Sequence, residues 1–310
     1  MSELLLIVVH GCHLLCVNVA SAGPLVCIGL DWHSRKGDPL ALQAARFLAW
    51  ASCWTLALGV GFGLLLGWLV WEEQFSRVVP LFWNKILFGI AELVFSAVLG
   101  LIAAAWLQWG RVETGAQGRS VARWVRSILW GLSGTNLLYH FPVLFAVMTN
   151  VSAGYSVAEE SVTGAAFRTL MLEQGVLARA AHVVLASFAV TGLALSVWAV
   201  CRAGRGPIAS HELRVGAWGA RLALLVTAFQ LPVGLWVIGS LPPIAQRAAL
   251  GADPIAGLLL ATSLLGTFVL LQQLAAAAFA ETNRRSLLGS VAMTVLIVIL
   301  MTGVLQRITE

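Results

Sequence analysis

Apolar runs of about 20 residues or more recur from one end of this chain to the other, separated by short polar connections. A run of that length is what a helix needs to cross a hydrocarbon core of roughly 30 Å. Inside hydrocarbon, every backbone N–H and C=O must be satisfied within its own segment, so each run is expected to be a helix. Eight spans are predicted, at roughly 4–30, 46–71, 83–109, 122–150, 176–201, 216–240, 255–280 and 286–306. With 59% hydrophobic residues, 11% charged and a mean hydropathy of +0.89, the composition excludes an ordinary soluble domain. The expected fold is an all-α integral membrane bundle of about eight transmembrane helices. The first run lacks a basic leader and an Ala-x-Ala cleavage pattern, so it reads as a retained helix and not as a signal peptide.

Basic residues set the expected orientation. Arg35, Lys36, Arg46, Arg111, Arg119, Arg123, Arg126, Arg202, Arg205, Arg214, Arg221, Arg284 and Arg285 fall on one side, and Arg77, Lys85, Arg168, Arg179, Arg247 and Arg307 on the other, thirteen against six. The positive-inside rule then puts both termini outside. Trp32, Trp50, Trp71, Trp83, Trp106, Trp109 and Trp124 near span ends fit interfacial belts. A pI near 9.3 follows from this arginine bias and calls for no nucleic acid. Five cysteines within or beside apolar runs give no disulfide framework. The longest outer segment, 151–175, carries Glu159, Glu160 and Glu173, which could cap a site or dock a partner.

Ionisable residues inside the spans are the candidates for function, because a bilayer makes them expensive. His10 and His13 in VHGCHLLCVNVASAG, Glu92 in IAELVFSAVLG, His140 in NLLYHFPVLF and His182 in RAAHVVLASFAVTG come from four spans and are all expected in the outer half, with almost none in the inner half. Haem suits such a set: neutral imidazole is an axial ligand, and small residues make room for the macrocycle. Gly59, Gly63 and Gly67 form one smooth strip, although helix packing explains it equally, and Glu92, Ser96 and Gly100 form another. Arg179, one turn outward from His182, could meet a haem propionate. A proton or ion pathway is the rival reading, but it calls for polar groups through both halves. A covalent c-type haem wants Cys-x-x-Cys-His, and Val9 stands where the first cysteine should be. Zinc or copper is better placed on His13 and Cys16 than on any other pair here. GVGFG lies inside an apolar span and is no dinucleotide fingerprint.

The order of HLLCVNVASAG, GVGFGLLLGW, IAELVFSAVLGL and RAAHVVLASFAVTG resembles subunit I of the cytochrome bd-type quinol oxidases over residues 1–240. The resemblance implies a six-helix haem-binding bundle over 1–240, with His13 and His182 as axial haem ligands and Glu92 as the first of two paired glutamates. It also implies one to three b haems, quinol or quinone as substrate, other membrane or periplasmic redox subunits such as a c-type cytochrome as partners, and a place in the bacterial inner membrane. Departures are equally specific. Gly100 stands at the second glutamate position, the segment after the sixth span is only 241–254, and the two helices of 241–310 have no counterpart in the family. His140 is then a candidate replacement axial ligand, and His10 a candidate contact for a second haem, a propionate or quinol. The expected function is a b-type haem electron carrier between quinol and a redox partner at the outer face. A shortened oxygen-reducing oxidase subunit, with catalytic use of Glu92, is the alternative, and a haem-free transporter or membrane anchor is a third.

Overall fold

The computed structural model describes residues 3–34, 38–70, 73–110, 116–152, 162–203, 210–280 and 283–309. Among these the chain is helical, with no strand. The helices are α1 (Glu3–Ser34), α2 (Pro39–Leu69), α3 (Glu73–Leu81), α4 (Trp83–Trp109), α5 (Ala116–Ser152), α6 (Gly164–Met171), α7 (Gln174–Ala203), α8 (Ser210–Gly239), α9 (Pro243–Arg247), α10 (Pro254–Ala275) and α11 (Arg284–Thr309). Arg35, Lys36, Trp71, Arg111, Glu159, Glu160 and Arg205 lie outside the described residues, as does the side chain of Arg119.

Seven of these helices are long and apolar enough to cross a membrane. The chain is therefore a multi-pass membrane protein. The predicted span 122–150 is helical throughout, but its helix, α5, is not among the seven. Its sequence explains why: Arg123, Arg126, Ser127, Ser133, Thr135, Asn136 and His140 interrupt the apolar run.

Two Asp-Pro steps start helices cleanly. Asp38 accepts from the N–H groups of Leu40 and Ala41 at 3.0 and 3.3 Å, and Asp253 accepts from those of Ile255 and Ala256 at 2.8 and 3.2 Å. In each case the following proline fills the first helical position, where a missing N–H costs nothing.

Long helices alternate in direction. Gly23 packs on Ser52 and Gly59 on Val17, so α1 and α2 are antiparallel. Gly131 and Gly134 of α5 meet Ile28 and Leu25 of α1, and Ser133 of α5 donates to the Ser96 carbonyl of α4 at 2.9 Å. Both termini consequently lie at one end, called here the terminal end. There Val78, Phe82, Leu144, Val147, Val162 and Val176 form a small core beneath α3 and α6. The expected loop 151–175 thus contains a helix, α6, capped by Thr163.

Towards the end opposite the termini, α1, α2, α4, α5, α7 and α8 share a core that includes Leu30, Leu48, Ala104, Trp130 and Leu195. A second core joins α7 and α8 to α10 and α11 through Leu193, Ala223, Leu274 and Leu287. The tightest approach is between α7 and α8, where an added Cβ at Gly192 would stand 2.5 Å from the Gly219 carbonyl. Only glycines allow backbones that close.

Candidate functional site

His13 stands on the glycine strip of α2. Its Nδ1 lies 2.9 Å from the Gly59 carbonyl oxygen. A carbonyl can only accept, so Nδ1 carries the proton and the lone pair is left on Nε2. The ring also packs flat enough on α2 that a Cβ on Gly63 would be 3.0 Å from His13 Cε1. Gly59 is occupied by Val17 in the same way, whereas nothing lies within 4 Å of a Cβ at Gly67. The strip therefore serves helix packing over two of its three glycines and is open at the third.

His182 is partly buried on α7, with its Nδ1 enclosed and lacking a hydrogen-bond partner. Leu193, eleven residues on, belongs to the core shared with α8, α10 and α11. Eleven residues are about three turns, so His182 shares that face. Arg179 lies one turn nearer the terminal end and is partly buried.

Between these helices runs a hydrogen bond that fixes their register. Ser187 Oγ of α7 donates to Asn18 Oδ1 of α1 at 2.8 Å, and both residues are buried. Thr191 Oγ1 reaches the Asn18 carbonyl at 3.5 Å. His13 precedes Asn18 by five residues and His182 precedes Ser187 by five, so the two histidines are level. They do not face each other. Starting from mutually facing positions on parallel helices, five residues rotate both side chains about 140° beyond a full turn in the same sense. That leaves the rings on opposite sides of the α1–α7 contact: His13 against α2, and His182 on the side turned away from it.

Glu92 and His140 belong to a different seam, between α4 and α5. Asn136 Nδ2 donates to the Glu92 carbonyl at 3.1 Å and to Ser96 Oγ at 2.8 Å. His140, one turn along α5, meets the rings of Phe88 at 5.4 Å and Tyr139 at 5.1 Å. Phe88 and Tyr139 are both more than half exposed, so this seam opens outward and not into the core. From the Gly134 contact with Leu25 and Ser21, His140 stands about one turn, roughly 6 Å, further from the terminal end than His13. His10, His13 and His182 thus lie nearer the terminal end, and His140 and Glu92 further from it.

The second small-residue stripe is not open space. Ser96 and Gly100 are buried against α5, and a Cβ on Gly100 would stand 3.3 Å from Ser133 Oγ. A glutamate at position 100 has no room while α5 holds this place. His10 is partly buried and makes no hydrogen bond or ion pair among the described residues. It precedes Ser21 by eleven residues and so lies on the edge of α1 that meets α5. No group of three or more His, Cys, Asp or Glu side chains suited to a metal ion exists among the described residues.

Sequence reasoning passed over Asn18, Ser187 and Asn136, the neutral polar residues that set the register of the candidate histidines. Asn18 lies five residues from His13 and, as a buried amide in an apolar run, carries the same signal as a histidine. Sequence reasoning also passed over Asp31, which stands just past the first predicted span. Asp31 is 1% exposed near the far end of α1. Its Oδ2 accepts from Arg126 Nη2 at 2.9 Å and Nε at 3.0 Å and its Oδ1 from Nη2 at 3.2 Å, with Arg123 at 3.9 Å. The cause is compensation: a buried carboxylate persists when a guanidinium fork matches both its oxygens.

Compared with protein-family models and with curated proteins, this chain matches none.

Proposed function

We propose that the chain is a membrane b-type haem subunit that passes electrons between quinol or quinone and a redox partner at the outer face, with eight helices across the bilayer and both termini outside. The observation that carries this reading is the His13 ring held by its Nδ1–H on the Gly59 carbonyl. Ligating histidines are characteristically oriented by a second hydrogen bond of this kind, which fixes the tautomer and turns Nε2 to the metal. His182 adds support, since an enclosed imidazole nitrogen without a partner is costly unless a bound group or water satisfies it.

Haem supplies reversible one-electron chemistry when bound. The residues of this chain would hold it: His13 on the α2 side and His182 on the opposite side of the α1–α7 contact, as ligands of two separate groups. Arg179 would neutralise a carboxylate at the level above His182. His140 and Glu92, in the outward seam, are the candidates for contact with quinol.

A reduced-minus-oxidised visible spectrum of the purified protein tests the proposal. Bands of b-type haem are expected. A haem-free spectrum after expression with adequate haem supply overturns the reading, and a clear carbon monoxide shift favours an oxygen-binding subunit over a carrier whose haems take a second axial ligand. His182→Ala is expected to remove one haem component and leave that of His13.

A further inference from the structure

Away from the histidines, at the end opposite the termini, a cleft of about 390 Å³ opens between α2 and α4. Arg46, Trp50 and Trp54 of α2 and Gln108 and Trp109 of α4 line it. Trp50 and Trp109 meet edge to face with centroids 5.3 Å apart, forming one aromatic wall. Trp54 and Trp109 are 67% and 69% exposed, so the cleft faces outward from the bundle and not into its core.

Arg46 gives the cleft its chemistry. Its Nε donates to the Leu107 carbonyl at 3.1 Å, which pins the guanidinium at the α2–α4 contact. Among the described residues no carboxylate pairs with it, and its terminal nitrogens make no hydrogen bond. A partly buried guanidinium anchored through Nε presents its two remaining nitrogens as a preformed fork, the geometry that favours a phosphate group. Trp109 is the last residue of α4 and Arg46 lies about two turns into α2, so the fork stands close to the interfacial layer where lipid phosphates lie. From the cleft towards the terminal end, Leu58 on α2 and Val98, Leu101 and Ile102 on α4 are exposed and apolar, a surface along which acyl chains can run. Arg202 of α7, Arg214 of α8 and Arg284 of α11 lie at the same end, so the local field favours anions.

We infer that this cleft is a binding site for an anionic phospholipid, with the phosphate on Arg46, the headgroup between Trp50, Trp54 and Trp109, and the acyl chains along α2 and α4. The site is independent of the haem reading.

Native mass spectrometry of the full chain released from detergent tests it, with phosphatidylglycerol, phosphatidylcholine and inorganic phosphate added separately. Retention of phosphatidylglycerol over phosphatidylcholine is expected, with phosphate alone not retained. Arg46→Gln should weaken phosphatidylglycerol retention about tenfold, whereas Arg214→Gln, which removes an equal charge from the same end, should leave it unchanged. Trp54→Ala keeps the Arg46 anchor and the fold, and should weaken retention several-fold at unchanged helix content by circular dichroism. Equal loss in the Arg46 and Arg214 variants, or equal retention of the two lipids, overturns the site. Retention of inorganic phosphate with the same Arg46 dependence assigns it to a free anion instead. If Arg46→Gln does not fold, undiminished retention in Trp54→Ala overturns it.

Discussion

The Gly59 carbonyl oxygen accepts a hydrogen bond from His13 Nδ1 at 2.9 Å, across the contact between α1 and α2. It couples a packing surface to the protonation pattern of a side chain, because the carbonyl can be reached only while α2 presents glycine at 59 and 63.

Gly63→Val therefore acts on the ring. A Cβ already meets His13 Cε1 at 3.0 Å, and two further methyl groups push the imidazole from the Gly59 carbonyl. Loss of that bond and the added crowding should cost about 1–3 kcal/mol. The expected result is a lower thermal midpoint by circular dichroism in detergent and, in the haem-loaded protein, an altered or missing component in the visible spectrum. An unchanged spectrum would separate His13 from the cofactor.

Asp31 and Arg126 should behave as a unit. The carboxylate is 2% and the guanidinium 11% exposed, so removing one partner strands a buried charge, at a cost of about 3–5 kcal/mol. Asp31→Ala is expected to be poorly folded, and Asp31→Leu combined with Arg126→Leu to recover much of the loss. Melting of the two single variants and the double variant measures this; strictly additive losses would contradict the pairing.

Gly219→Ala is expected to force α7 and α8 apart. The new methyl group would run into the Gly192 carbonyl, which is backbone and has no rotamer to escape through. Overpacking of this kind costs about 1–3 kcal/mol. A melting midpoint equal to that of the parent protein would show that the two backbones are not held together.

The cap of α10 carries a pH dependence. The N–H groups of Ala256 and then Ile255, with Arg307 beside them, hold the Asp253 carboxyl below its usual range. A carboxyl whose pKa is lowered on folding contributes stability above its unfolded value of about 3.9 and loses it as the pH falls through the folded value. Asp253→Asn should therefore melt below the parent protein at pH 7, and the difference should narrow progressively as the pH falls below about 4. A gap that stays constant as the pH falls below about 4 would place the effect in packing.

The positions of the helices were legible in the sequence because apolar length leaves hydrocarbon-crossing backbone one regular solution. Their starts were less so: α2 begins at Pro39, seven residues before the predicted span, on an Asp-Pro step that hydrophobic length does not register. The short helices α3, α6 and α9 at the terminal end did not stand out, since nine residues or fewer give too little pattern to distinguish them from loop. At the site, His13 and His182 could be placed on one level from span position alone. Their opposite facings could not, because these depend on Asn18 finding Ser187, a pairing of neutral side chains far apart in the chain. Likewise Gly100 and Ser96 read as open space until Ser133 of α5 was found against them.

The partners of α1 come late in synthesis. Asp31 is matched by Arg126, Asn18 by Ser187, and the carbonyl of Ile7 by Thr302. At about 5–20 residues per second, the 169 residues between Asn18 and Ser187 take roughly 10–30 s to make. Over that interval the first helix waits in the bilayer with an amide unspent, and the nascent chain must shelter it until α7 arrives.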